Sequence, residues 1–137
     1  MAVNKERAEK AIKAAEREFK NAVRCLEDKD YVGSLKYLQE CMEYAVKGVL
    51  MAYGVDYPKF HGIGRFLYEI EDKYPQWFVE QIQAIAEVTD NLARNRPKFR
   101  YPYDYPPEQY ETTADEILPK VKKALENCCK LIKQLFG

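Results

Sequence analysis

Apolar residues recur along most of this chain at steps of three and four, the period of an amphipathic helix. Ala8, Ala11, Ile12, Ala15, Phe19, Ala22, Val23 and Leu26 form one stripe, which predicts a first helix from about Lys5 to Leu26. Its many alanines permit close approach of a partner helix. Glu27 to Asp30 breaks the pattern, and Asp30 is placed to cap the next helix by accepting from its free amides. A second helix is expected from Tyr31 to about Tyr53, with Leu35, Leu38, Met42, Ala45, Val46, Val49, Leu50 and Tyr53 inward. Gly54 supplies the left-handed residue that commonly ends a helix. The short link makes the first two helices an antiparallel hairpin.

After a loop from Val55 to Gly62, a shorter third helix is expected from Ile63 to Lys73, facing Phe66, Leu67 and Ile70 inward, and Tyr74-Pro75 stops it. The fourth runs from about Gln76 to Arg94, with Phe78, Ile82, Ile85, Ala86, Thr89 and Leu92 inside. A loop from Asn95 to Glu111 then carries Pro97, Pro102, Pro106 and Pro107, which forbid one continuous helix. The last helix is expected to open at Thr112 or Thr113, where Thr113 to Glu116 matches a capping box, with Pro119 a little deep for that start. Its stripe is Val121, Ala124, Leu125, Cys128, Leu131, Ile132 and Leu135, with Ile117 ahead. No strand pattern or repeat is visible. The expectation is therefore an all-α, up-and-down bundle of four long helices and one short one, a single domain over residues 1–137, with a long aromatic and basic loop before the last helix.

Composition narrows the chemistry. The 137 residues carry no formal net charge, so there is no global pull towards nucleic acid or anionic membrane, and such binding must come from local clustering. No apolar run approaches the length of a membrane span. Met1 to Lys10 lacks the apolar core of a signal peptide, so a reducing cytoplasm is expected. Cys25, Cys41, Cys128 and Cys129 form no C-x-x-C pair, and most fall in or beside apolar stripes as small buried hydrophobes. The single histidine argues against a histidine-based metal site, and no phosphate loop or serine–histidine–acid set is present. No metal or cofactor is expected. Most carboxylates, Glu40 among them, are expected on solvated helix faces.

The central loop concentrates the remaining candidates. Arg94, Arg96, Lys98 and Arg100 alternate, so an extended chain would point all four one way, in a row suited to phosphates. Tyr101, Tyr103 and Tyr105 also alternate and are able to stack on bases, but with opposite parity, so a shared surface needs a turn near Phe99 to Pro102. The competing reading is a loop whose tyrosines cover the bundle end while its arginines pair with nearby acids. His61 reads either as a phosphate or base contact or as a backbone-bonded residue opening the third helix.

The run Leu38 to Leu50, followed by Gly54, a proline loop and His61, resembles the HEPN family of higher eukaryotic and prokaryotic nucleotide-binding domains. Glu43, Lys47 and Leu50 match its Glu-x-x-x-Lys-x-x-Leu spacing, and His61 with Ile63 its His-led third helix. Arg100-Tyr101-Pro102 with Asp104 looks like the Arg-Tyr-Pro-Asp element of small prokaryotic members, with Tyr103 inserted. The resemblance covers about Asn4 to Leu135. It implies a two-fold homodimer with the arginine loops near a shared cleft, and often a minimal nucleotidyltransferase partner, sometimes as toxin and antitoxin.

Ribonuclease members carry Arg, four to six residues, then His. Neither Phe99 to Tyr101 nor Tyr101 to Tyr103, the windows counted from Arg94 and Arg96, contains a histidine. The residue best suited to proton transfer near neutral pH is missing there. The expected function is thus non-catalytic nucleotide or RNA binding through Arg94, Asn95, Arg96, Lys98, Arg100, Tyr101, Tyr103 and His61, beside a nucleotidyltransferase partner. The alternatives are a helical protein-interaction module and an unconventional ribonuclease without the usual histidine.

Overall fold

A computed structural model describes residues 2–57 and 62–137, with side chains from Asn4 onward. The described residues are all helix, turn and loop. Helices α1 (Ala2–Glu27) and α2 (Tyr31–Ala52) pack along their lengths as the expected hairpin. The link between them does two jobs. Lys29 adopts φ 60° and the amide of Asp30 donates to Cys25 O at 2.7 Å, which closes α1. The Asp30 carboxylate then accepts from Gly33 N at 2.9 Å and caps α2. At the far end Gly54, φ 69°, donates to Met51 O while Val55 donates to Leu50 O, the left-handed ending that glycine makes inexpensive.

Helix α2 is the centre of the molecule, touching every other long helix. Leu35, Leu38, Met42, Ala45, Val46, Val49 and Leu50 are fully buried, as the spacing predicts. The α1 alanines let the backbones come together: a Cβ placed on Gly48 would lie 3.4 Å from both Ala11 Cβ and Ala8 O. Cys41 and Cys128 are buried, Cys25 and Cys129 half-buried.

The third helix is a 3₁₀ segment, Gly64–Lys73, interrupted at Ile70 (φ −128°). Gly64 presses its backbone against the next long helix, where a Cβ would meet Ala86 Cα at 2.8 Å, and its amide donates to Asp90 Oδ1 at 3.1 Å. Tyr74, before Pro75, is extended, as a residue preceding proline must be.

The fourth helix is two pieces, α3 (Gln76–Val79) and α4 (Ile82–Arg94), although the stripe from Phe78 to Leu92 is buried as expected. The stretch expected as a loop is mostly helical turn: α5 (Arg96–Arg100), a 3₁₀ turn (Pro102–Asp104) and then α6 (Pro107–Phe136). Pro97 and Pro107 sit in first turns, where a missing N–H costs nothing. The last helix therefore opens at Pro107 rather than at Thr112 or Thr113, and the capping box does not form. Thr113 is already inside, its hydroxyl donating to Gln109 O at 2.7 Å. The helix continues through exposed Pro119. Its stripe is buried except for Leu135, 41% exposed near the chain end. No helix among the described residues is long and apolar enough to cross a membrane.

Candidate functional site

The basic segment is not an extended row. Between Asn95 and Tyr101 the chain makes one helical turn, with Lys98 N bonded to Asn95 O at 3.0 Å and Tyr101 N to Pro97 O at 3.0 Å. Residues two apart in a helix do not share a face, whereas residues four apart do. The alternation that suggested one cationic surface therefore divides it. Arg96 and Arg100 fall on one side of the turn, and Phe99 drives into the core at 3% exposure.

Two contacts fix the turn. Tyr110 donates its hydroxyl to Lys98 O at 3.0 Å, tying α5 to the first turn of α6. Asn95 donates its side-chain amide to Asn91 O at 2.8 Å, satisfying a carbonyl at the end of α4. The Lys98 ammonium lies 5.6 Å from the Tyr105 ring, within cation–π range.

A groove of about 1140 Å³ opens between α4 and α6. Arg94, Asn95 and Lys98 line it. Arg96, Arg100, Tyr101 and Tyr103 are not among its lining residues, so the expected site divides into a groove set and an outer set. Tyr101 and Tyr103, 45% and 79% exposed, stand edge to face with centroids 6.1 Å apart. His61 lies outside the described residues. Among the described residues, none of Arg94, Arg96, Lys98 and Arg100 makes an ion pair within 4 Å, contrary to the reading in which each arginine is locked to an acid.

The structure also assembles features that the linear sequence did not reveal. Glu18 of α1 is buried at 7% exposure and accepts from Arg17 Nε at 3.2 Å and Asn21 Nδ2 at 3.3 Å. Glu40 of α2, expected on a solvated face, is exposed, and its carboxyl comes next to that of Glu18 where α1 and α2 cross. That neighbour, then desolvation, then the charges of Glu18 and Glu43 push the Glu40 carboxyl up to about 7, against the pull of Arg96. Glu18 is correspondingly held low, first by Glu40. No sequence spacing links residues 18 and 40; only the crossing of α1 and α2 does. On the other wall of the groove stand Lys120 and Lys123, which sit with Glu116 and Asn127 at steps of three and four along α6. That polar stripe was legible but had no facing wall to give it meaning. No group of three or more metal-ligating side chains is found among the described residues.

The family model described as "HEPN domain" matches residues 8–132. A relative is "Putative toxin MJ1304" of Methanocaldococcus jannaschii, 29% identical over 138 residues, a match covering 92% of this chain and 88% of that protein. No solved structure matches the chain. With the matched span running from the first helix of the hairpin almost to the end of α6, the chain belongs to the HEPN domain family.

Proposed function

We propose that this protein is a non-catalytic nucleotide- or RNA-binding module of the HEPN family, acting as a two-fold homodimer beside a minimal nucleotidyltransferase. The observation that carries the reading is the groove set: Arg94 and Lys98, without ion pairs among the described residues, line one cleft together with Asn95. Guanidinium and ammonium groups left unneutralised at a cleft suit phosphate oxygens. The window where ribonuclease members place histidine holds buried Phe99 instead, which supports binding without cleavage. The relative's name supports a place in a toxin–antitoxin pair, and the family implies the dimer and the nucleotidyltransferase. The test is equilibrium binding of nucleotides and short RNAs to wild type, Arg94→Ala/Lys98→Ala and Arg96→Ala/Arg100→Ala. The groove variant loses salt-sensitive binding. Unchanged binding in that variant sinks the proposal.

One observation favours a second reading, an unconventional ribonuclease. The Glu40 carboxyl, raised to about 7 beside Glu18 and close enough to feel Arg96, is suited to proton transfer near neutral pH. On this reading purified protein cleaves RNA and Glu40→Gln removes the activity. Cleavage that persists in Glu40→Gln rules it out.

A further inference from the structure

Arg94, Asn95 and Lys98 occupy one end and one wall of the groove, but the groove continues well beyond them. Its length is set by α6. Gln109 and Asn127 both line it, and at the usual helical rise they are about 27 Å apart along the axis. The volume of about 1140 Å³ exceeds that of ordinary small-ligand pockets, about 300–1,000 Å³. The wall opposite α4 is formed by the polar stripe of α6, on which Lys120 and Lys123 are exposed and make no ion pair among the described residues.

The charges of the lining are unequal. Along the lining Arg65, Arg94, Lys98, Lys120 and Lys123 outnumber Glu87, Asp90 and Glu116, in a chain whose charges cancel overall. Two of those three carboxylates already serve internal bonds: Asp90 accepts from Gly64 N at 3.1 Å, and Glu87 from Gln83 Nε2 at 3.0 Å. Polar amides bridge the far end, where Asn127 Nδ2 donates to Gln81 Oε1 at 3.4 Å. Cations on both walls of an open trench, spaced over several helical turns, suit a chain of phosphates better than a single phosphate group.

We infer that the α4–α6 groove is a path for single-stranded RNA, with Lys120 and Lys123 as backbone contacts on the α6 wall, farther along the groove than Arg94 and Lys98. This deepens the binding function proposed above and rests on it. It adds two contact residues and specifies a polymer rather than a mononucleotide. Flexible single strands follow such a trench because each phosphate meets a cation without a fixed helical geometry.

The experiment compares binding of fluorescein-labelled dodecauridylate and of uridine monophosphate, each measured across a salt series. The proteins are wild type, Lys120→Glu/Lys123→Glu, Lys120→Gln/Lys123→Gln, Arg94→Ala/Lys98→Ala and a control, Lys13→Glu/Lys20→Glu. The control makes the same charge change on the exposed face of α1. Each lost single-strand phosphate contact removes about 0.7 from the slope of log K against log salt, so losing two flattens it by about 1.4. The Lys120/Lys123 charge reversal is expected to weaken dodecauridylate binding tenfold or more, the Gln pair less, and the control little. Wild type is expected to bind the oligomer at least tenfold tighter than the monomer. If the Lys120/Lys123 variants bind like the control while Arg94→Ala/Lys98→Ala loses binding, the path is overturned and the binding function survives. Equal affinity for monomer and oligomer also overturns it. A change in sedimentation without a change in RNA affinity assigns the α6 face to a second copy, and again overturns the path. No binding by wild type removes both proposals together.

Discussion

The α1–α2 hairpin and the α4–α6 cleft are both made of two helices, yet they have opposite surfaces. In the hairpin the facing positions are alanine, glycine and large aliphatics, so the backbones close until Gly48 rests on Ala8 and Ala11. Across the cleft the facing stripes carry glutamine, asparagine, glutamate and lysine, and the surface between them stays open as a groove, with an amide pair bridging one end. Small apolar residues draw helices together because close packing gains dispersion contacts and removes water. Charged stripes stay open because desolvating them unpaired is costly. The hairpin is thus where stability resides, and the cleft is where the chain keeps charge available.

Substitutions that sharpen this contrast differ in size. Leu38→Ala, at a fully buried position of α2, is expected to cost about 2–5 kcal/mol in chemical denaturation. Arg94→Ala, exposed at the groove, is expected to stay within about 0.5 kcal/mol of wild type while losing ligand binding. Equal losses of stability in the two would erase the distinction. Next comes Gly64→Ala, whose added Cβ would meet Ala86 Cα at 2.8 Å and Asp90 Oδ1 at 3.0 Å. Forcing the 3₁₀ segment off α4 is expected to cost about 1–3 kcal/mol. A fully tolerated substitution there would show that this contact yields easily.

Tyr110→Phe removes the bond to Lys98 O that pins α5 to α6. A loss of about 1 kcal/mol is expected, with weaker binding in the groove because Lys98 is no longer held. The smallest effect belongs to the carboxyl pair. The neighbouring Glu18 carboxyl, and then desolvation, raise the Glu40 carboxyl from 4.5 to about 7, so between those values the folded state holds more proton than the unfolded one. That contribution is present below pH 4.5 and is lost as pH rises through about 7. Glu40→Gln keeps a donor towards Glu18 without titrating. It is expected to be more stable than wild type at pH 8 but not at pH 5, by less than about 1 kcal/mol given its exposure to solvent. Parallel stability curves for the two proteins would remove the raised Glu40 carboxyl from the account.

Periodicity made the core legible almost residue by residue, because burial of a stripe at helical spacing is a local property of the chain. The seven expected core residues of α2 from Leu35 to Leu50, and the caps at Asp30 and Gly54, are decided by their own side chains and φ angles. The same local reasoning failed between Asn95 and Thr113. The prolines do forbid one continuous helix, but Pro97 and Pro107 each sit in the first turn of a new one, and burial of Phe99 and the Tyr110 bond fold the segment into turns rather than a loop.

What the sequence alone determined, then, was an all-helical chain, its hairpin and a cluster of cations near residue 100. The tertiary structure decided which of those cations share a surface, brought Lys120 and Lys123 into the same groove as Arg94, and put Glu18 beside Glu40. The physical reason is range. Helix period and capping act over a few residues, whereas the walls of a groove and the meeting of Glu18 with Glu40 depend on where separate helices cross.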